Sequence, residues 1–61
     1  MITEFEAINK AVHLSKSTYQ NEVLVVFQRL DRTYEVCPES EYTGDEDYIC
    51  GKYLNGGLAP A

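Results

Sequence analysis

The sequence predicts an α+β fold in which one N-terminal helix packs on a small three-stranded antiparallel sheet, in the order α-β-β-β. Three observations carry this reading. Apolar residues recur at three- and four-residue steps between Phe5 and Tyr19. A β-branched run, Val23 to Phe27, follows at once. Two alternating segments then appear, Thr33 to Cys37 and Tyr48 to Leu54, divided by proline and glycine.

The helix begins at a sequence-level cap. Thr3 and Glu6 have the spacing of a capping box, in which hydroxyl and carboxylate satisfy otherwise orphaned backbone donors. Phe5, Ile8, Val12, Ser15 and Tyr19 fall on one face. Ala7, Ala11 and Leu14 form a second stripe beside it, while Asn9, His13 and Lys16 lie opposite. So wide an apolar surface fits either a helix lying deep across the sheet or one that also meets a partner chain. Ser17, Thr18, Gln20 and Asn21 weaken helical propensity and mark the exit.

The run Val23 to Phe27 is apolar on both faces, with Val23, Val25 and Phe27 on one and Leu24 and Val26 on the other. That pattern suits a central strand, or a strand covered by a partner. Asp31 and Arg32 supply a polar turn. In the next strand Tyr34 and Val36 share a side, and Pro38 ends it by removing a ladder donor. Pro38-Glu39-Ser40-Glu41 suits a short helical turn, because proline is tolerated at a first helical position. In the third strand Ile49 and Tyr53 face one way, and Gly51 between them marks a bulge or a close backbone approach. Asn55-Gly56-Gly57 closes the reading. Residues 1–56 are expected to form a single domain and residues 57–61 a flexible tail.

Size and composition exclude several classes. The chain has 61 residues, near the lower limit for folding without a staple. Its longest apolar run is five residues, whereas a membrane-spanning helix needs about 20. The acidic start, Met1 to Glu6, has no signal-peptide character, so a cytoplasmic location is expected. Cys37 and Cys50 are expected as reduced thiols, with an intramolecular disulfide as the alternative. Zinc normally takes four ligands and only Cys37, Cys50 and His13 offer thiolate or imidazole, so no metal or cofactor is expected. No nucleophile sits in a recognisable catalytic pattern, and the chain is not expected to be an enzyme.

Charge is the feature that points to function. The formal net charge is −5, and all of the excess lies after residue 30. Between Arg32 and Lys52 stand Glu35, Glu39, Glu41, Asp45, Glu46 and Asp47, with no base. An acidic surface repels phosphate and attracts basic proteins, so the expected partner is a protein with a basic surface and not nucleic acid or a membrane. Tyrosines are frequent interface anchors, and Tyr42 and Tyr48, which flank Gly44 to Asp47, are expected to be exposed. The expected partner-binding residues are therefore Glu39, Glu41, Tyr42, Asp45, Glu46, Asp47 and Tyr48. A second possibility is a self-associating adaptor domain, a homodimer built on Leu14, Val23, Val25 and Phe27.

The helix with Ala7, Ala11 and Ser15, then Val23-x-Val25-x-Phe27, then Tyr34-x-Val36-x-Pro38-x-Ser40-x-Tyr42, resembles small acidic accessory proteins of phages and other mobile elements. The resemblance spans most of residues 5–54 and is carried by structural positions. It implies a small inhibitor or adaptor directed at a host protein, of the anti-restriction or anti-CRISPR kind.

Overall fold

The computed structural model describes residues 2–44 and 48–60. Helix α1 spans Glu4–Lys16, and the strands are β1 (Leu24–Gln28), β2 (Tyr34–Pro38), β3 (Tyr48–Leu54) and β4 (Gly57–Leu58). A single 3-10 turn, Glu39–Glu41, follows β2. The sheet is antiparallel throughout, in the order β2-β1-β3-β4. The α+β class is as expected; the sheet has four strands where the sequence reading gives three.

Helix α1 starts at the capping box. The Thr3 hydroxyl accepts from the Glu6 amide at 3.2 Å, and the Glu6 carboxylate accepts from the Thr3 amide at 3.2 Å. The buried stripe, however, is Ala7, Ala11 and Ser15. Ile8 and Val12 flank it half-buried, and Phe5 is 72% exposed. Small side chains face the sheet because Val26 and the large ring of Tyr53 already fill the space beneath them. Turning Phe5 inward would lift the helix off that contact, and close packing makes such a gap costly.

Strand β1 is central, and Leu24, Val25, Val26 and Phe27 are all buried. Val26 lies in the core under α1. Strand alternation sends Val25 and Phe27 to the helix-free face. On β3 the register slips between Val26 and Phe27: Val26 faces Gly51 and Phe27 faces Ile49, leaving Cys50 as the extra residue. The bulge thus sits where Gly51 suggests it. The Tyr53 ring lies over this glycine, 3.2 Å from where a Cβ would stand.

The turn between β1 and β2 uses a left-handed residue, Arg32, at φ 71°. The Asp31 carboxylate accepts from the Thr33 hydroxyl at 2.7 Å and the Thr33 amide at 3.1 Å. These bonds to Thr33 hold the Asp31 carboxyl below the ordinary range. Pro38 ends β2 as expected, one residue beyond Cys37 and without costing the β1 ladder a donor. It faces Leu24 as the last residue of β2, at a position where no donor toward β1 is needed.

Within the tail expected from residue 57 onward, Gly57 and Leu58 form β4. Asn55 (φ 49°) and Gly56 (φ 90°) form a two-residue turn, and Leu58 pairs with Tyr53. Both turn residues have positive φ, as the hairpin turn that matches strand twist requires. The Ala59 amide extends the pairing by donating to the Lys52 carbonyl at 2.9 Å.

This hairpin is clasped to the end of α1. The buried Ser15 hydroxyl donates to the Val12 carbonyl at 2.9 Å and accepts from the Gly56 amide at 2.8 Å. The Asn21 amide donates to the Asn55 side-chain oxygen at 2.8 Å, and the Asn55 side-chain amide donates back to Asn21 at 3.2 Å. Replacing Ser15 by alanine strands a part-buried backbone donor, so Ser15→Ala is expected to lower stability by about 1–3 kcal/mol. Ser17→Ala, which removes an exposed hydroxyl bonded to the His13 carbonyl, should stay within about 0.5 kcal/mol of the parent. Urea denaturation of both variants checks the contrast.

Candidate functional site

Among the described residues no second helix covers the other face of the sheet; the segment that follows β2 does so. The Glu39 amide donates to the Val23 carbonyl at 2.8 Å, and the Tyr42 amide closes the 3-10 turn on the Glu39 carbonyl at 3.1 Å. Tyr42 then reaches Phe27, with ring centroids 4.8 Å apart and planes tilted by 54°. The Arg29 guanidinium lies 5.4 Å from the centre of the same Phe27 ring. Lys52 on β3 pairs with Glu39 at 2.6 Å. Because β1 lies between β2 and β3, that ion pair reaches across the central strand at the level of Val25.

These elements leave an open depression of about 220 Å³. Phe27 and Tyr42 form its apolar wall, and Glu35, Cys37, Glu41 and Arg29 line the rest. Arg29 meets Glu35 at 3.6 Å. Among the described residues that pair and Lys52–Glu39 are the only ion pairs, and both are half-exposed. Glu41, on the covering segment, has no place in either.

The sequence-derived residues distribute unevenly. Glu39 and Glu41 stand exposed in the 3-10 turn of the covering segment. Tyr42 does not stand out into solvent; it is half-buried because its ring is needed over Phe27. Tyr48 is 68% exposed, as expected. Asp45, Glu46 and Asp47 lie outside the described residues. Val25 and Phe27, expected at a self-association surface, are covered by their own chain and present nothing to a second copy. Leu14 and Val23 are half-buried.

Glu35 and Arg29 line the depression and are not among the partner-binding residues expected from the sequence. The available signal was the two-residue step from Glu35 to Cys37, which puts both on the face away from Tyr34 and Val36. Large apolar side chains also remain exposed at Phe5, Leu30, Ile49 and Leu58. Comparison with known protein families, curated proteins and solved structures finds no match.

Both cysteines are free. Cys37 on β2 lines the depression and Cys50 on β3 packs toward the helix side. Two strand spacings, about 9–10 Å, separate β2 from β3, more than a disulfide bridges. Burial, followed by Glu41, pushes the Cys37 thiol up; burial, followed by Glu4, does so for Cys50. A raised pKa means less thiolate at neutral pH and a slower nucleophile. Both thiols should therefore react with iodoacetamide at pH 7.4 more slowly than in the urea-unfolded chain. Mass spectrometry of timed samples checks this, and a cysteine faster than its unfolded counterpart contradicts it.

Proposed function

We propose that this chain is a small acidic protein-binding module that docks on the basic surface of a nucleic-acid-handling protein and blocks it. The observation that carries the reading is the anchoring of the acidic segment. From Glu39 to Tyr42 it is tied to the sheet by a backbone bond to Val23, by the Tyr42–Phe27 ring contact and by the Lys52 ion pair. Glu39 and Glu41 are thus held on a folded surface beside Glu35, and little ordering entropy of this stretch remains to oppose docking. Acid excess repels phosphate, which favours a basic protein over nucleic acid as the partner. A basic groove built for nucleic acid would accept such a surface in place of its natural ligand. An inhibitory role is also what the resemblance to mobile-element accessory proteins implies.

The alternative, a self-associating adaptor, has lost two of its four expected contact residues, Val25 and Phe27, to the chain's own core.

Affinity capture from host lysate tests the proposal. Captured protein should elute between about 0.05 and 0.5 M salt, because the Debye length shortens steeply over that range. It should also be displaced by added duplex DNA competing for the same basic surface. Combined reversal of Glu41, Asp45, Glu46 and Asp47 to lysine is expected to abolish capture while leaving the unfolding midpoint within a few degrees. Capture that ignores salt, DNA and the reversal together would overturn the reading.

A further inference from the structure

The hydrogen-bond parity of β2 shows which of its backbone groups are spoken for. The Arg29 amide donates to the Thr33 carbonyl at 2.8 Å, and the Glu39 amide donates to the Val23 carbonyl at 2.8 Å. Between these ends the register pairs Gln28 with Tyr34, Phe27 with Glu35, Val26 with Val36, Val25 with Cys37 and Leu24 with Pro38. Bonded and non-bonded pairs alternate in an antiparallel ladder. Glu35 and Cys37 therefore turn their amides and carbonyls toward β1. Tyr34 and Val36 turn theirs outward, and Pro38 turns only a carbonyl outward. Strand β2 is one of the sheet's two outer strands, and among the described residues no backbone bond outside the regular ladders reaches Tyr34 or Val36.

The side chains along this edge divide by face. Tyr34 and Val36 pack with the core under α1. Glu35 and Cys37 lie on the helix-free face, where Glu41 joins them at the depression. A strand laid beside β2 would place alternate side chains against an apolar strip and against carboxylates.

We infer that the outer edge of β2 is a strand-addition site for an extended segment of a partner protein that alternates basic and apolar residues. This rests on the acidic-docking reading above and names the segment by which the partner is held. Backbone bonds to Tyr34 and Val36 supply affinity, and the alternation supplies selectivity. Lysine or arginine side chains reach Glu41, which joins neither ion pair, and Glu35, whose half-exposed pair with Arg29 at 3.6 Å leaves it open to a second cation; the apolar ones extend the strip of Tyr34 and Val36.

A second copy of this chain fits the edge poorly. An antiparallel pairing centred on Val36 sets Tyr34 against the partner's proline-bearing end, where one donor is missing. A pairing centred on Glu35 places two carboxylates directly opposite, which is destabilising. Two chains of net charge −5 also repel.

The test uses the synthetic peptide Lys-Val-Lys-Val-Lys-Val-Lys and the full chain, read by amide hydrogen exchange. Peptide binding should slow exchange at Tyr34 and Val36 while leaving Glu35 and Cys37, already bonded within the sheet, unchanged. Val36→Pro removes an outward donor and should weaken binding at least about tenfold, the loss of roughly one hydrogen bond. Retained protection at Glu35 and Cys37 in that variant shows that the fold survives. The same peptide N-methylated at alternate backbone nitrogens makes the equivalent test with the protein unaltered, and should also bind at least about tenfold more weakly.

Equal affinity for Lys-Lys-Lys-Lys-Val-Val-Val, or binding without protection at Tyr34 and Val36, would sink the edge site. Salt-sensitive capture of a basic partner would still stand in that case. Protection of Tyr34 and Val36 in the peptide-free protein, accompanied by a dimer in sedimentation, would assign the edge to a second copy and also overturn the inference.

Discussion

Burying β1 on both faces is the constraint from which the rest of this small structure follows. One side of Leu24–Gln28 is covered by α1, but among the described residues there is no second helix to lay on the other. Val25 and Phe27 would otherwise face water, and each fully buried apolar side chain of this size is worth about 1.5–3 kcal/mol. The residues after β2 meet the need. They leave the strand at Pro38, turn once, and bring Tyr42 over Phe27 before the chain returns as β3. The segment that carries the acids is therefore also a lid on the core. Its order comes from apolar contact and from the Glu39 amide, since an exposed ion pair such as Lys52–Glu39 contributes at most about 1 kcal/mol.

The helix side solves a related problem by different means. Ala7, Ala11 and Ser15 present almost no bulk, so α1 settles close to Val26 and Tyr53. Close approach would leave the hydroxyl of Ser15 and the amide of Gly56 in a dry place. Pairing them satisfies both and joins the helix end to the last hairpin. Neither cysteine is bridged, and no cluster of metal-ligating groups occurs among the described residues. The clasp of Ser15, Asn21, Asn55 and Gly56 thus ties residues far apart in sequence, as a cross-link does in other small domains.

Much of this was legible from residue type where one local rule governed the outcome. Thr3 and Glu6 are capping residues whatever the tertiary context, and the doubly apolar Val23–Phe27 run has to be central. Gly51 marks a bulge for the same local reason. The helix face was misjudged because periodicity ranks residues by hydrophobicity, whereas the sheet selected for small size; Phe5 lost its place to Ala7. The fourth strand was legible and went unread. Asn55-Gly56 is a strong hairpin signal, but the two-residue partner Gly57–Leu58 has too little pattern to look like a strand. The Arg29–Glu35 pair at the candidate site depends on the register across a turn, which no single segment encodes.

Assigning one segment to both core coverage and charge presentation limits how that segment can change. Tyr42 is not interchangeable with a polar residue, because its ring shields Phe27. Glu39 is fixed by its backbone bond to Val23 more than by its charge, so its side chain has some freedom. Glu41 lies between these anchors and takes part in neither ion pair. The fold constrains it least, yet it lines the same depression as Glu35 and Cys37. Its carboxylate is held on ordered backbone and takes part in no ion pair among the described residues. Under the proposed function, a basic partner would be drawn to that carboxylate before any contact forms, and the outer edge of β2 beside it would supply the backbone bonds that hold the partner in register.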